Sequence, residues 1–487
     1  MIQLISTFFV LALSIPTQGI AQPQFADITS QAGIANSLSG NQVRLGTNLA
    51  WGDYDGDGDL DLYITNWGSS ISPVVSTNRL YRNNGNGSFS DVASSTGVTD
   101  TRNSIDAHWA DYDNDGNLDL YVVNFSEQDQ LYKNNGNGSF SRVTGSAGAN
   151  VISQGSEISG AWGDFDGDGD LDFYLCKYFF RNSFFVNNGN GTFFEDAVGM
   201  QVADVRDSEH AAWGDYDLDG DLDLYVVNRE QNNALYRNDG TSFTEVACAL
   251  SLDNTDVGKS ARWIDYDTDG DLDLFITNIG ANALYRNDGN DQFVNIASGD
   301  TKSLSNSWIS WSSAWGDLDA DGDLDAVVAN GADSQDGQVS PLLLNTGGGN
   351  FEDNTGTSGI GTSRLFGVAA GTADYDADGD LDFYLLGSRF PTYPPGQLYR
   401  NNTSGTSTVK VLPKRKDAAD GIGARVRLLS GTQLQGHQVI SSDSDAQEAV
   451  FGVQAGSSFT VEIIFPDGST VTRNNVSSGT TIEIQQQ

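Results

Sequence analysis

Apolar residues in this chain fall into short alternating runs, and the same set of four returns about every 53 residues, a spacing typical of solenoids, propellers and arrays. In the first set, residues 48–52 read N-L-A-W-G, residues 60–66 read L-D-L-Y-I-T-N, residues 79–83 read R-L-Y-R-N and residues 88–92 read S-F-S-D-V. Period-two alternation predicts half-buried strands, and N-N-G-N-G between the third and fourth runs is a hairpin signal. Helical periodicity is nearly absent, so the predicted class is all-β. Four antiparallel strands repeated seven times predict the blades of a β-propeller.

The third run recurs as Leu80-Tyr81-Arg82-Asn83 and six variants, ending at Leu398-Tyr399-Arg400-Asn401. The Phe of the fourth run occurs only six times after a repeat: Phe89, Phe140, Phe193, Phe243, Phe293 and Phe351. The seventh repeat runs instead into T-S-G-T-S-T. Its counterpart lies at the other end of the chain, where Phe25-Ala26-Asp27 matches Phe89-Ser90-Asp91. The N-terminal segment is therefore expected to supply the outer strand of the last blade. That closes a seven-bladed ring and pairs an otherwise open sheet edge.

Between the first and second runs lies D-Y-D-G-D-G-D-L-D or a close variant, seven times over. The loop residues are Asp53, Asp55, Asp57, Asp59 and Asp61; Asp111, Asp113, Asp115, Asn117 and Asp119; Asp164, Asp166, Asp168, Asp170 and Asp172; Asp215, Asp217, Asp219, Asp221 and Asp223; Asp265, Asp267, Asp269, Asp271 and Asp273; Asp317, Asp319, Asp321, Asp323 and Asp325; and Asp374, Asp376, Asp378, Asp380 and Asp382. Carboxylates at positions 1, 3, 5 and 9 of a curled loop converge on one point, and hard oxygens at that density suit Ca²⁺. Position 6 is Gly in every copy, as a turn with positive φ requires. Position 7 is expected to ligate through its carbonyl, which makes Asn117 harmless. An EF-hand would place Glu at position 12 and then a helix. Here position 12 is Ile64, Val122, Leu175, Val226, Ile276, Val328 or Leu385, inside a strand. Up to seven calcium ions are expected, one per blade.

Charge narrows the partners. The chain has 25 basic and 66 acidic residues, a formal charge of −41. Seven divalent ions would still leave about −27, which excludes a nucleic-acid partner, because phosphate binding needs a basic face. Residues 1–21 carry no charged side chain, are apolar at the centre and offer Gly19 and Ala21 before a cleavage point at Gln22, as a secretory signal peptide does. An uncleaved anchor is the alternative. No later apolar run approaches 18 residues, so no membrane span is expected in residues 22–487. The expected location is secreted, extracellular or in the cell envelope. Cys176 and Cys248 read as two buried free thiols, with a disulfide between them as the alternative.

Residues 404–487 lack the acidic loop and form a separate small β domain after a propeller over residues 22–403. Strands are expected at 424–429, 459–465, 470–473 and 480–484. Lys410, Lys414, Arg415, Lys416, Arg425 and Arg427 form a basic cluster that either docks on the acidic propeller or presents a free anion-binding face.

The acidic loops resemble the FG-GAP/VCBS repeats of integrin-α-type propellers. Residues 421–428 (G-I-G-A-R-V-R-L), 450–453 (V-F-G-V) and 461–468 (V-E-I-I-F-P-D-G) resemble the ASPIC/UnbV domain. That pair, in that order, is similar to the cartilage acidic protein family and its bacterial relatives, and a bacterial member is expected. The resemblance departs at Phe465-Pro466, where the family has Trp-Pro, and in lacking a His before Phe451. It implies a secreted calcium-binding adhesion or interaction module, monomeric, whose partner is an extracellular protein or glycan.

Two other functions compete with that one. One is a lectin-like carbohydrate binder. The other is a calcium-dependent polysaccharide lyase or hydrolase at the propeller channel, drawing on His108, His210, Asp106, Glu157 and Glu209; no G-x-S-x-G, H-E-x-x-H or P-loop supports it. No catalytic residue and no cofactor other than calcium is assigned. Trp51, Trp109, Trp162, Trp213, Trp263 and Trp315 precede six of the loops and are expected to fill gaps between blades rather than to stack on sugars. The N-G-S/T triplets at Asn86, Asn137 and Asn190 read as hairpin turns before they read as glycosylation sites.

Overall fold

The computed structural model describes residues 22–34, 48–67, 77–148, 156–297, 304, 308–331, 338–360, 366–388, 396–403 and 405–487. The expected signal peptide lies outside them. The described chain is all-β apart from three four-residue helices. Seven four-stranded antiparallel sheets follow one another. The first comprises Leu49–Gly52, Asp61–Ile64, Arg79–Asn83 and Phe89–Asp91, within two residues of the runs read from the sequence.

The seventh sheet is completed from the other end of the chain. Phe25–Asp27 pairs antiparallel with Gln397–Asn401, with Phe25 opposite Asn401. The innermost strands pack in sequence against one another, and Phe366–Ala373 of the seventh sheet packs against Leu49–Gly52 of the first.

The core lies between sheets. The six tryptophans that precede the acidic loops are all buried. Trp109 packs with Ala50, Tyr54 and Tyr63 of the preceding sheet, and its indole N–H donates to Ala50 O at 3.2 Å. Trp213 and Trp263 repeat that bond on Ala161 and Ala212. Where an inner strand closes on glycine, that residue makes room for the next ring: a Cβ on Gly52 would lie 2.8 Å from the Trp109 ring, and Gly163 and Gly214 stand likewise against Trp213 and Trp263. These rings are gap-fillers, as their regular repetition suggested.

A second set of ties runs around the sheets. The Asn ending each third strand donates its side-chain N–H to the position-2 carbonyl of the neighbouring loop. Asn134 reaches Tyr54 O at 2.7 Å, Asn187 reaches Tyr112 O at 2.8 Å, and the series runs to Asn401 on Leu318 O at 2.9 Å. Asn83 reaches Tyr375 O at 2.8 Å, which links the first sheet to the seventh loop.

Residues 405–487 form two further sheets. One is ordered Ala449–Gly452, Thr408–Lys414, Thr480–Gln485, with the last pair parallel. The other is ordered Gln433–Val439, Arg425–Ser430, Ser458–Ile464, Thr470–Ser477. Three of these strands, Thr408–Lys414, Gln433–Val439 and Ala449–Gly452, were not among those expected. Both cysteines are free, but only Cys176 is buried; Cys248 is exposed, because it lies in a short surface helix, Ala247–Leu250, outside the sheets. Among the described residues no helix is long and apolar enough to cross a membrane.

Candidate metal centres

Each acidic loop curls around its own first carboxylate. Asp53 Oδ1 accepts from the N–H of Gly56 at 2.8 Å and of Asp57 at 3.1 Å, and Oδ2 accepts from Gly58 at 3.0 Å. Gly58 has φ +93°, and position 6 is left-handed in all seven copies, up to +105° at Gly220. Position 4 is left-handed too, including Asn114, Leu218, Thr268, Ala320 and Ala377.

The curl brings positions 1, 3, 5 and 9 together. Ligand-type oxygens of Asp53, Asp55 and Asp57 lie within 4.8 Å of one another, as do those of Asp111, Asp113 and Asp115. In the third and fourth loops the sets are Asp164, Asp166, Asp172 and Asp215, Asp217, Asp223, which brings in position 9; in the fifth loop the set is Asp265, Asp267, Asp269. The side chains of position 7 turn away, toward the next hairpin. A Cβ on Gly85 would meet the Asp59 carboxylate at 2.6 Å, and on Gly189 the Asp170 carboxylate at 2.5 Å.

Position 9 has a second task that the sequence did not announce. Asp61 Oδ1 accepts from the Asn83 backbone N–H at 2.8 Å, and Oδ2 from Tyr54 N–H at 3.2 Å. The first of these bonds recurs in every sheet, at 2.7–2.8 Å. Position 9 therefore binds its loop to the third strand, and the Asn there binds the neighbouring loop. The recurrence of Asn at the end of seven third strands was the available signal.

The residues fit a cation. Asp164 Oδ1, Asp215 Oδ1, Asp265 Oδ1, Asp113 Oδ1 and Asp382 Oδ2 are buried and receive no hydrogen bond. Such orphaned acceptors carry the full cost of desolvation. Burial pushes Asp61 and Asp273 up to about 9, and the neighbouring loop carboxylates push the same way. Burial likewise carries Asp119, Asp172 and Asp223 far above the ordinary carboxylate range. In the second loop a cation is already gathered: the Lys133 ammonium pairs with Asp113 and, at 2.9 Å, with Asp115. A divalent ion at each cluster would be held by the carboxylates of positions 1, 3, 5 and 9.

The C-terminal sheets sit on these loops. Lys410 Nζ pairs with Asp374 Oδ2 at 3.0 Å, Arg425 with Asp215 Oδ2 at 3.0 Å, and His437 Nδ1 lies 3.3 Å from Asp265 Oδ2. Arg415, fully buried, donates to Gly169 O at 2.7 Å and Asp111 O at 3.3 Å. Ala419 and Gly452 donate backbone N–H groups to Asp111 and Asp317. Lys414 and Arg427 stay within their own domain, on Ala419 O and Glu462. Half of the basic cluster is thus spent on the acidic loops, which favours docking over a free anion-binding face.

Residues 441–448 go further and bond to the inner strands of several sheets. Ser442 O and Oγ bond His108 Nδ1 at 2.8 Å and Trp162 N at 3.0 Å. Asp443 pairs with Arg262 and, at 3.3 Å, His210. Ser444 bonds Asn48, Asp445 bonds Thr372, and Gln447 bonds Trp109 O. His108 also meets Asp106 at 2.8 Å. Both ring nitrogens of His108 face acceptors, so only the imidazolium satisfies both. Asp106 raises the His108 pKa against the opposing effect of burial. Glu157, another of the candidate catalytic residues, is buried away from this segment, and burial pushes it up to about 7.

Comparison with known families gives two matches. A model described as FG-GAP-like repeat matches residues 53–122, 111–175, 215–276 and 265–328, and one described as ASPIC and UnbV matches residues 414–487. No curated protein matches the chain. Among solved structures, one describing recognition of non-reducing terminal N-acetylglucosamine by an Agrocybe aegerita lectin is 16% identical, with 67% of this chain and 83% of that one covered and a TM-score of 0.41. YCF48 bound to D1 peptide is 12% identical, covering 73% and 93%, at 0.40. PorZ, a surface component of the type-IX secretion system of Porphyromonas gingivalis, is 12% identical, covering 87% and 58%, at 0.44.

Proposed function

We propose that this chain, which joins FG-GAP-like repeats to a C-terminal ASPIC and UnbV domain, is a secreted calcium-binding module for adhesion to an extracellular protein or glycan. Residues 1–21 are its signal peptide, residues 22–403 a closed seven-bladed propeller, and residues 404–487 a β domain docked on the calcium loops. The observation that carries this proposal is the convergence, in equivalent loops, of carboxylates that each keep one buried oxygen without a hydrogen bond. Closure is supported by Phe25–Asp27 in the seventh sheet and by the Asn83 bond to Tyr375.

Calcium supplies positive charge that the buried carboxylates lack. The chain's residues do the rest. Positions 1, 3, 5 and 9 hold the ion, with the position-7 carbonyl completing the set. Position 9 transmits loop order to the third strand, and the strand's Asn transmits it to the next loop. Filling the loops therefore stiffens the ring and presents its faces as a fixed surface. A module is favoured over a hydrolase or lyase because His108 is buried and committed at both ring nitrogens to Asp106 and Ser442.

Thermal unfolding with and without chelator tests the calcium dependence. An extracellular-type site has Kd on the order of 10⁻⁴ M. At about 1 mM Ca²⁺ each site adds roughly 1.4 kcal/mol. Seven add roughly 10 kcal/mol, comparable to the whole stability of an ordinary domain. EDTA is expected to lower Tm by tens of degrees, and Ca²⁺ to restore it. A Tm that ignores EDTA would exclude calcium as the structural ion.

A further inference from the structure

At the end of the channel away from the acidic loops lies a cavity of about 610 Å³, floored by Asp443 and Ser444 of the segment 441–448. Its volume falls within the range of about 300–1,000 Å³ usual for small-ligand pockets. We propose that this cavity binds the terminal pyranose of a saccharide chain. The proposal deepens the interaction module above and rests on it.

Three observations point to a sugar. The first is aromatic surface beside fixed polar groups. The Trp311 ring lies 4.7 Å from the Lys259 ammonium, which is itself paired with Glu209. Also in the lining, the Arg229 guanidinium lies 5.8 Å from the centre of the Tyr178 ring. Flat rings accept the C–H face of a pyranose, and charged groups already held in place hydrogen-bond its hydroxyls without costly ordering. The second observation is charge balance. Asp106, Glu209 and Asp443 each have a cation beside them, in His108, Lys259 and Arg262. A hydroxyl-rich ligand therefore fits without leaving a buried charge unpaired. His210, also in the lining, is held in place by Asp443 at 3.3 Å from its Nε2.

The third observation is Phe179 at the cavity wall. Its backbone is left-handed, with φ +62°, and its ring is 75% exposed. A bulky residue adopts that conformation only where its surroundings impose it. Here Asp207 Oδ1 accepts the Phe179 N–H at 2.7 Å. An exposed ring held out in this way gains nothing for the core and suits a ligand platform.

The floor sets the mode of binding. Because Asp443 and Ser444 block the channel, a saccharide cannot thread through and only a chain end can enter. Calorimetric titration of the full chain in Ca²⁺ tests this with three probes: linear hexose trisaccharides, linear hexuronate trisaccharides, and cyclic hexose oligomers that have no end. A linear probe should bind and the cyclic probe should not; the stronger linear arm identifies the sugar. Phe179→Ala removes a mostly exposed ring whose one aromatic contact is edge-on with Tyr178 at 6.0 Å, so it should fold normally, and it should weaken binding about tenfold, as should Trp311→Ala. Absence of binding to every linear probe overturns the proposal, as does equal binding of the cyclic one or unchanged affinity in both variants. Retention on native extracellular material in Ca²⁺ is measured in parallel. Retention without sugar binding sinks the cavity alone; no retention by the wild-type chain sinks the interaction module as well.

Discussion

At the residue scale the acidic positions were legible and their neighbours were not. Asp at positions 1, 3, 5 and 9 with Gly at 6 reads as a curled loop with convergent carboxylates, and the fold brings those carboxylates together. Position 4 varies freely among Gly, Asn, Leu, Thr and Ala, yet it is left-handed throughout. No propensity reveals this, because the loop's hydrogen bonds to position 1 impose it against the residue's own preference. The role of Asp443 was hidden as well, since S-S-D-S-D shows no pattern that separates a plug from a surface loop. The His108 imidazolium gives this plug a pH dependence. His108 faces Asp106, Ser442 O and, more distantly, Asp443; Asp443 faces Arg262 and His210. The folded pKa of His108 is raised. Its contribution is therefore complete below the ordinary His value of about 6.5 and is lost as pH rises through the folded value. Asp443 is held well below the ordinary range by Arg262 and His210, against the effect of burial. Its contribution is complete above about 3.9 and is lost only in strong acid. In saturating Ca²⁺, the Tm difference between wild type and His108→Gln should be largest near pH 6 and shrink by pH 9. A difference that grows with pH would mean His108 is neutral in the folded chain.

At the element scale the strands that alternate cleanly were found within a residue or two, and the missed ones break the pattern for physical reasons. Thr408–Lys414 carries Lys410 and Lys414 on one face, with Pro413 beside them, which obscures its strand pattern. Lys410 is in fact buried, because Asp374 and Glu448 neutralise it. Gln433–Val439 is polar because it faces the acidic loops through His437. The N-terminal strand was legible only by its absence elsewhere. Phe25–Asp27 carries more than its three residues. Phe25 packs edge-on against Phe383 at 5.1 Å in the cluster joining the sixth and seventh sheets, and Gln397 bonds Asp27 at 3.0 Å. Deleting residues 22–29 exposes the edge of Gln397–Asn401 and empties the Phe25 site. Loss of a buried Phe costs about 3–5 kcal/mol, and an open edge invites strand pairing between molecules. The truncated chain should melt at least 10 °C lower and show dimers or larger species in light scattering. A monomer with the wild-type Tm would show that this strand is dispensable for closure.

At the scale of the whole molecule, large negative charge and a basic tail predict mutual attraction but not its form. The form is a set of buried contacts between the tail and the first carboxylates of the acidic loops, the same residues to which the proposed calcium is assigned. Surface attraction would be screened by salt, whereas contacts out of water are screened little. Arg415 is about 2% exposed at its side chain, and the Lys410–Asp374 pair 10% and 2%. Raising NaCl from about 0.1 M to about 1 M, which shortens the Debye length from about 10 Å to about 3 Å, should leave the tail docked. Breaking one buried pair should not. Lys410→Met keeps the length of the side chain but takes from buried Glu448 the ammonium it shares with Asp374, a loss of about 3–5 kcal/mol. Because Asp374 opens the seventh loop, the effect should spread along Thr408–Lys414 into that loop and its neighbour in the ring. Hydrogen exchange in Ca²⁺ should show faster exchange at residues 408–414 and 374–382 in Lys410→Met, with the fourth sheet protected as before. Wild-type protection in Lys410→Met, or tail exchange that rises steeply with salt in the wild type, would mean the tail is held by diffuse surface charge and not by these buried pairs.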